Sequence, residues 1–447
     1  MKSLEDLSHA LLIRAQKAGA TSADCLVSQT NGLSVQVLNG SLEHAQRSEQ
    51  HSLALRVFVG HRQACVSATD SSDATLKTLS ERAVAMAKEA PIDPYCGLPD
   101  PDQLAQNWNV ESLELVDPAP EPTPDQIQND ALMAEAAASA VSGVSQVQST
   151  STAYGSEHVH IAATNGFSGA LRFTHYATSC VAISGTGLEM EREYDHDVRI
   201  FRDDMRLPEE IGRRAGERAA SRRGARKPQT GQFPVLFDER ISSSLIGHFL
   251  SAINGHAIAT GTSWLRGAMD QAVFPQNLTL FENPHRRRIS GSRPFDDEGL
   301  PTTPRKLVKN GVLRTWTLDC ATARRLGLTS TANARRTASA LPTPVPWNVE
   351  LTQGKKSPME LMRDMGTGLL VTSLIGSTIN SNTGDYSRGA SGFWIEDGEV
   401  SYPVNECTIA GNLRQMLGAL IPANDARPYL PHVVPSLLIE SMTLAGK

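Results

Sequence analysis

At 447 residues the chain is long enough to bury a full core and to divide into two or three domains, so it needs no disulfide or metal staple. Hydrophobic residues make up 40% and charged residues 20%, which is the balance of a soluble globular protein and excludes a disordered or fibrous chain. The formal charge of -6 gives no bulk attraction to nucleic acid or to an anionic membrane and leaves only local basic patches for either.

The opening MKSLEDLSHALLIRAQKAGA alternates charge with Leu and Ala and carries Glu5 and Asp6, so it reads as a surface helix and not as a secretion signal. No run reaches the roughly 18 apolar residues of a membrane span, and the expected location is the cytoplasm. From Ala23 to Thr69 come the short β-favouring runs DCLVSQ, LSVQVLN, SLEHAQRSE, SLALRVFVG and RQACVSAT. Asn31-Gly32 and Asn39-Gly40 suit tight hairpin turns because both residue types tolerate positive φ, so an antiparallel meander is predicted here. Residues 73–90 have apolar side chains at helical spacing, and Pro91 stops them. Residues 91–127 are rich in Pro, Asp and Glu, which predicts a surface loop able to pack over a cleft. A helix is predicted at about 128–142, strands around 144–154, 157–164, 168–184 and 197–203, and a helix at 209–225 whose basic tail is an exposed connector. The order helix, meander, helix, helix, meander implies an internally repeated α+β unit.

At Gly231 the texture changes, and the division expected is an N-terminal domain over 1–230 and a C-terminal domain over 231–447. GQFPVLFDER predicts a strand and ISSSLIGHFLSAINGH a helix. A helix around 318–326 and many short strands separated by Gly, Pro, Asn and Asp follow, with Asn310-Gly311 and Asp397-Gly398 as hairpin signals. The fold class predicted is α+β: meanders with flanking helices first, then a β-rich domain built as a barrel or a strongly twisted sheet.

Chemistry-bearing clusters are few. His248 and His256 are eight residues apart, about 12 Å along an ideal helix, with no carboxylate between them and an Asn254-Gly255 break before the second. A shared metal would need that turn to fold back, so a helix packed on the sheet with His248 at a cleft is the plainer reading. The six cysteines form no CxxC pair and read as reduced thiols, Cys407 among them as a buried one. No serine lies in a nucleophile elbow, and Ser263 reads as a cap. The glycines of 366–376 lack a phosphate-loop lysine. NPHRRRISG at 283–291 is the densest basic cluster and reads as salt-paired surface, with FDDEG at 295–299 as the nearest acidic run to pair it. Asp296, Asp297 and Glu298 of RPFDDEG read as solvated carboxylates more readily than as a cation site. The glycine-rich stretch 376–413 exposes backbone groups able to align an extended peptide, with Asp385, Tyr386 and Arg388 to orient it; a purely architectural loop stays open as the alternative.

NGSLEHAQRSEQHSLALRVFVG, LIGHFLSAINGHAIATGTSWL, RPFDDEG, VLRTWTLDCATARRLGLTST and SNTGDYSRGASGFWIEDGEVSYPVNECTIAGNL together resemble the PmbA, or TldE, branch of the TldD/PmbA family of microcin-processing peptidases (peptidase U62), once described as modulators of DNA gyrase. The resemblance covers nearly the whole chain. It implies a cytoplasmic two-domain protein paired with a TldD-type subunit in a zinc metallopeptidase that degrades or trims peptides. It also implies that the catalytic branch holds zinc through an HExxxH helix and a later cysteine. Anchored by the following GTS, that motif falls at 246–251, where Ile246 and Ser251 replace the histidines and Gly247 the glutamate; Pro435 and Ser436 stand in place of the cysteine-containing segment, so all three ligands and the base are absent. The chain is therefore expected to hold no metal or cofactor and to have no catalytic residue of its own, with zinc in the TldD-like partner. His248, His256, Asp385, Tyr386, Ser387 and Arg388 are the peptide-cleft candidates, the loop residues by this resemblance. The partners implied are the TldD-like subunit and a peptide or unfolded polypeptide, with a homodimer when isolated and neither membrane nor nucleic acid. A stand-alone peptide-binding or regulatory protein and an independent hydrolase with an unrecognised site remain the alternatives.

Overall fold

The structure, a computed structural model, describes residues 2–447. Its first half is a six-stranded antiparallel sheet in the order β3-β2-β1-β4-β5-β6. The elements run α1 (Leu4–Ala18), β1 (Ser22–Leu38), β2 (Ser41–Phe58), β3 (Gln63–Ala68) and α2 (Asp73–Glu89), then α3 (Pro124–Ser139), β4 (Val144–Ala163), β5 (Ser168–Ser184), β6 (Glu191–Arg199) and α4 (Pro208–Ser221). Helix, three strands and helix thus occur twice, joined by antiparallel pairing of the two first strands, β1 and β4. Polar caps set the helix starts: Ser3 and Asp6 cap α1 reciprocally, and Thr123 and Gln126 do the same for α3. The helices bury Leu7, Leu11, Leu76 and Val84 against Val27, Leu55 and Val57 on one sheet face. On the other face Val159, Ile161 and Leu171 pack with Ala105, Phe167 and Phe295, so the acidic, proline-rich loop does lie over the sheet.

Asn39-Gly40 turns as expected, with φ of 54° and 71°. Asn31-Gly32 does not, because β1 runs straight through it. Gly32 lies opposite Gly155 of β4 and Ser48 of β2, and a Cβ there would come within 2.9 Å of Ser48 Oγ. Glycine serves close approach between strands at this point and makes no turn. In the same way the strands expected at 144–154 and 157–164 are one strand, β4, passing through Gly155.

The second half begins with β7 (Gly231–Phe237), α5 (Glu239–Ala252) and α6 (Gly255–Thr260). Short elements follow: β8 (Leu280–Glu282), β9 (Arg305–Lys309), β10 (Val312–Leu313), α7 (Cys320–Leu326), β11 (Ala334–Arg335), β12 (Thr343–Pro344), β13 (Val349–Leu351) and α8 (Pro358–Met365). The chain ends with β14 (Gly368–Ile379), β15 (Asp385–Glu396), β16 (Glu399–Asn412), α9 (Leu413–Gly418), β17 (Ile421–Pro422), β18 (His432–Val433) and β19 (Leu437–Ala445). Strands are ordered β16-β15-β14-β7-β19, and β16 also pairs with β19, which closes the sheet into a barrel. The largest core cluster fills the space between barrel and helices, with Phe237, Phe249, Trp394, Ile409 and Leu437. The structure therefore has the α+β class predicted, a meander sheet with helices followed by a closed barrel-like sheet.

Candidate functional site

Asp238 starts α5 by accepting from the N–H of Arg240 (3.1 Å), and the spacing of Leu245, Ile246, Phe249 and Leu250 turns one face of the helix into the core. Ile246 is fully buried in that cluster. Gly247 faces open space, with nothing within 4 Å of where a Cβ would stand, and the exposed Ser251 donates to the Gly247 carbonyl (2.9 Å). Of the three positions aligned with a zinc-binding motif, Ile246 thus points into the core while Gly247 and Ser251, one turn apart, lie on the outer face, and none carries an imidazole, carboxylate or thiol. Ser436 is occupied elsewhere: its N–H and hydroxyl both donate to Asp425 (2.8 and 2.7 Å). Among the described residues no group of three or more His, Cys, Asp or Glu is gathered so as to hold a metal ion. These side chains do not fit the zinc site of the catalytic branch.

What stands beside Gly247 is a polar pair with unmet hydrogen bonds. The His248 ring meets the Tyr386 ring edge to face, with 5.9 Å between centroids. His248 Nε2 and the Tyr386 hydroxyl are both buried without a hydrogen-bond partner among the described residues. Burial, and then the charge of Arg388, hold His248 below its ordinary basicity, so the ring is neutral near pH 7. Burial pushes the Tyr386 phenol up to about 12, and the charge and close approach of the Arg388 guanidinium offset part of the rise, although the two groups are not placed for a full hydrogen bond. Arg388 lies two residues along β15 and so on the Tyr386 face; its Nε donates to the carbonyl of Gly376 (2.7 Å).

The other candidates lie apart from this group. Asp385 is exposed on the opposite face of β15, where it accepts from Thr383 Oγ (2.6 Å) and Asn412 Nδ2 (3.1 Å), contacts that lower its pKa. The alternation of the strand gives Ser387 to that same face. His256 is exposed on α6 and lines a separate cavity of about 260 Å³ with Arg56, Glu298 and Asp319. Cys407 is buried, donates to the Ala390 carbonyl (3.1 Å) and is pushed up to about 11 by burial, so it stands as an inert thiol. Ser263 takes the N–H of Leu265 (3.0 Å) and donates to the Ala252 carbonyl (2.6 Å).

The RPFDDEG loop corrects the sequence reading. Its carboxylates are buried instead of solvated. Asp296 accepts backbone N–H groups of Glu298 (3.0 Å), Leu300 (2.9 Å) and Ala334 (3.0 Å), while Asp297 takes Arg293 (2.9 Å). Glu298 accepts from the Cys320 N–H (2.8 Å) and pairs with Arg56 (3.3 Å), which also binds Asp24 through Nε (2.9 Å). Arg336 closes the set on Asp24. The basic cluster is engaged with other partners: Arg288 binds Glu114 (2.6 Å) and Asp204 (3.2 Å), Arg287 binds Glu114, and Arg286 donates to the Leu430 carbonyl (2.9 Å). The sequence reading missed Asp24, Arg56 and Arg336 altogether. A lone Asp or Arg inside a strand-like run carries no local signal; only the pairing of distant segments brings them together.

Three family models match the chain: PmbA/TldA metallopeptidase domain 1 over residues 23–87, the central domain over 117–223 and the C-terminal domain over 230–446. The chain is 33% identical to the metalloprotease PmbA of Escherichia coli O157:H7 over 448 residues, covering 99% of this chain and 96% of the relative. It is 33% identical to a metalloprotease PmbA homolog of Haemophilus influenzae over 436 residues, covering 97% and 94%. The crystal structure of a proposed modulator of DNA gyrase from Bacteroides thetaiotaomicron superposes with a TM-score of 0.89 at 26% identity, covering 99% of this chain and 98% of that one.

Proposed function

The chain belongs to the PmbA/TldD metallopeptidase family, and we propose that it is the subunit without a catalytic metal in a heteromeric TldD-type zinc peptidase that degrades or trims peptides. One observation carries this reading. At the positions where the resemblance puts ligand, base and ligand, the chain has a core isoleucine, a glycine and an outward serine. Gly247 has no group to take a proton from water, and Ile246 has no lone pair for zinc.

The work left to this chain is positioning. His248 Nε2 and the Tyr386 hydroxyl hold unspent hydrogen-bonding capacity beside an open stretch of α5, and Arg388 adds a fixed cation on the same wall. Such a wall suits the amide groups of an extended peptide held for the partner's chemistry. The relatives named metalloprotease support the peptide substrate, and a cytoplasmic location goes with this role; no helix among the described residues is long and apolar enough to cross a membrane. The units we infer are residues 1–230 and 231–447, and the association would bury more than about 1,000 Å².

The test mixes the purified chain with the TldD-like protein of the same organism and measures complex mass and peptide turnover. A stable complex with turnover above that of the TldD-like protein alone is expected. Failure to associate or to stimulate cleavage removes the proposal, and full-affinity binding of a defined peptide without any partner favours a stand-alone role.

A further inference from the structure

β5 is paired on both sides only in part. β4 accompanies it from Ser168 to Ser184, whereas β6 begins opposite Tyr176. Among the described residues the 110–118 segment is hydrogen-bonded to the uncovered end only at Thr174, whose N–H donates to the Leu115 carbonyl (3.0 Å) and whose hydroxyl accepts the N–H of Asp117 (2.8 Å), while the Leu113 carbonyl takes the N–H of Arg288 instead of an N–H of β5. The pairs Ser156 with Thr174, His158 with Arg172 and His160 with Ala170 follow each other without a register break. Because Thr174 points its N–H away from β4, the alternation of an antiparallel ladder points those of Arg172 and Ala170 the same way. Neither N–H has a hydrogen-bond partner among the described residues. An interior strand edge is left open.

That edge faces a cavity of about 690 Å³ lined by Ala170, Leu171, Val110, Leu115, Val116 and Phe201. The volume lies in the range of small-ligand sites, room for two or three side chains. Its charged groups differ in availability. Arg288 stacks on Phe201 (3.8 Å) and is spent on Glu114 and Asp204, while Glu111 is exposed at the rim. Arg172 is exposed with no acidic partner among the described residues, and burial and Arg172 together keep the neighbouring His158 less basic than usual. Unpaired backbone groups beside an apolar cavity and a free guanidinium form the recognition chemistry of strand addition.

We propose that an extended peptide segment adds as a further strand to the open edge of β5 between Ala170 and Arg172, with an apolar side chain in the cavity and a carboxylate on Arg172. This rests on the reading that the protein handles peptides, but it places the contact in the first half of the chain, away from His248 and Tyr386. The site would hold a substrate by its main chain at a distance from the place of cleavage, which lets side chains vary while apolar and acidic residues are favoured.

The probe is a short fluorescein-labelled peptide alternating leucine and aspartate, titrated by anisotropy into the isolated full-length chain. A backbone N-methylated copy and a leucine–lysine copy serve as controls. Saturable binding is expected for the first peptide, weakened about tenfold in both controls and in Arg172→Glu. Val116→Trp, which fills the cavity from its exposed side, should abolish it. Arg172 and Val116 are both exposed, so the variants are expected to fold, and circular dichroism checks this. Equal binding of the N-methylated peptide, unchanged affinity in either variant, or no saturable binding overturns the proposal. A homodimer dissolved by Val116→Trp assigns the groove to a second copy and overturns it equally. Partner-dependent turnover that survives such a failure leaves the subunit role standing.

Discussion

Tyr386 pays for its hydroxyl without using it. The side chain is only 1% exposed, its ring packs on His248, and its oxygen finds no hydrogen-bond partner among the described residues. A buried hydroxyl left unsatisfied costs about 1–3 kcal/mol, so a phenylalanine here would serve the fold at least as well. Tyr386→Phe is therefore expected to leave the urea midpoint of the isolated chain unchanged or to raise stability by about 1 kcal/mol. Turnover with the TldD-like partner is expected to fall about tenfold, the value of one hydrogen bond to a bound peptide that displaces the side chains covering the hydroxyl. A loss of stability with unchanged turnover would make the hydroxyl a structural group and take Tyr386 out of the peptide wall. At this scale the sequence carried the identities that matter. Ile246, Gly247 and Ser251 bring no imidazole, carboxylate or thiol whatever the fold. It did not carry orientation: that Tyr386 turns inward to meet His248 while Asp385 turns outward depends on how β15 sits in the barrel.

Among the elements, two glycines with equal room around them behave in opposite ways. Neither Gly40 nor Gly247 would bring an added Cβ within 4 Å of another atom. Gly40 sits at φ 71° in the turn between β1 and β2, where an L side chain strains the backbone. Gly247 sits inside α5 with helical geometry, where glycine costs unfolded-state entropy and gains nothing. Gly40→Ala is expected to destabilise the chain by about 1–2 kcal/mol and Gly247→Ala to stabilise it by about 1 kcal/mol, both read from urea unfolding. Two shifts of the same sign would contradict the backbone account. The same contrast explains what could be read of the elements in advance. Asn39-Gly40, Asn310-Gly311 and Asp397-Gly398 all have positive φ at both residues and turn where the dipeptide says. Asn31-Gly32 has the same letters but lies between β2 and β4, and pairing on both sides overrides a local turn preference. Strand length is decided by neighbours as far away in sequence as Gly155 is from Gly32, which a scan of short windows does not contain.

For the whole molecule, a buried ionic group joins the two halves. Asp24 and Arg56 come from β1 and β2, Glu298 and Arg336 from the segments around β11, and all four are nearly inaccessible. Asp24 is the centre, since both arginines bind it, and their charges hold its carboxyl below the ordinary range despite the opposing effect of burial. Removing that one charge leaves Arg336 with no acidic partner among the described residues and Arg56 with Glu298 alone, and a buried pair broken on one side costs about 3–5 kcal/mol. Asp24→Asn keeps the shape and tests the charge alone. The loss should fall on the docking of the halves more than on either core, because the core cluster of the first sheet and that of the barrel have no residue in common. Trp264, Trp316, Trp347 and Trp394 all lie in the second half, so tryptophan fluorescence follows mainly that half while far-ultraviolet circular dichroism follows both. The variant is expected to lose about 3–5 kcal/mol and to show fluorescence and dichroism transitions that no longer coincide in urea. Lys2→Ala, which breaks the exposed pair with Asp73, is the control and should cost less than about 1 kcal/mol with coincident transitions. If Asp24→Asn behaves like that control, the two halves are held together by apolar contact and the buried charges only fix their register.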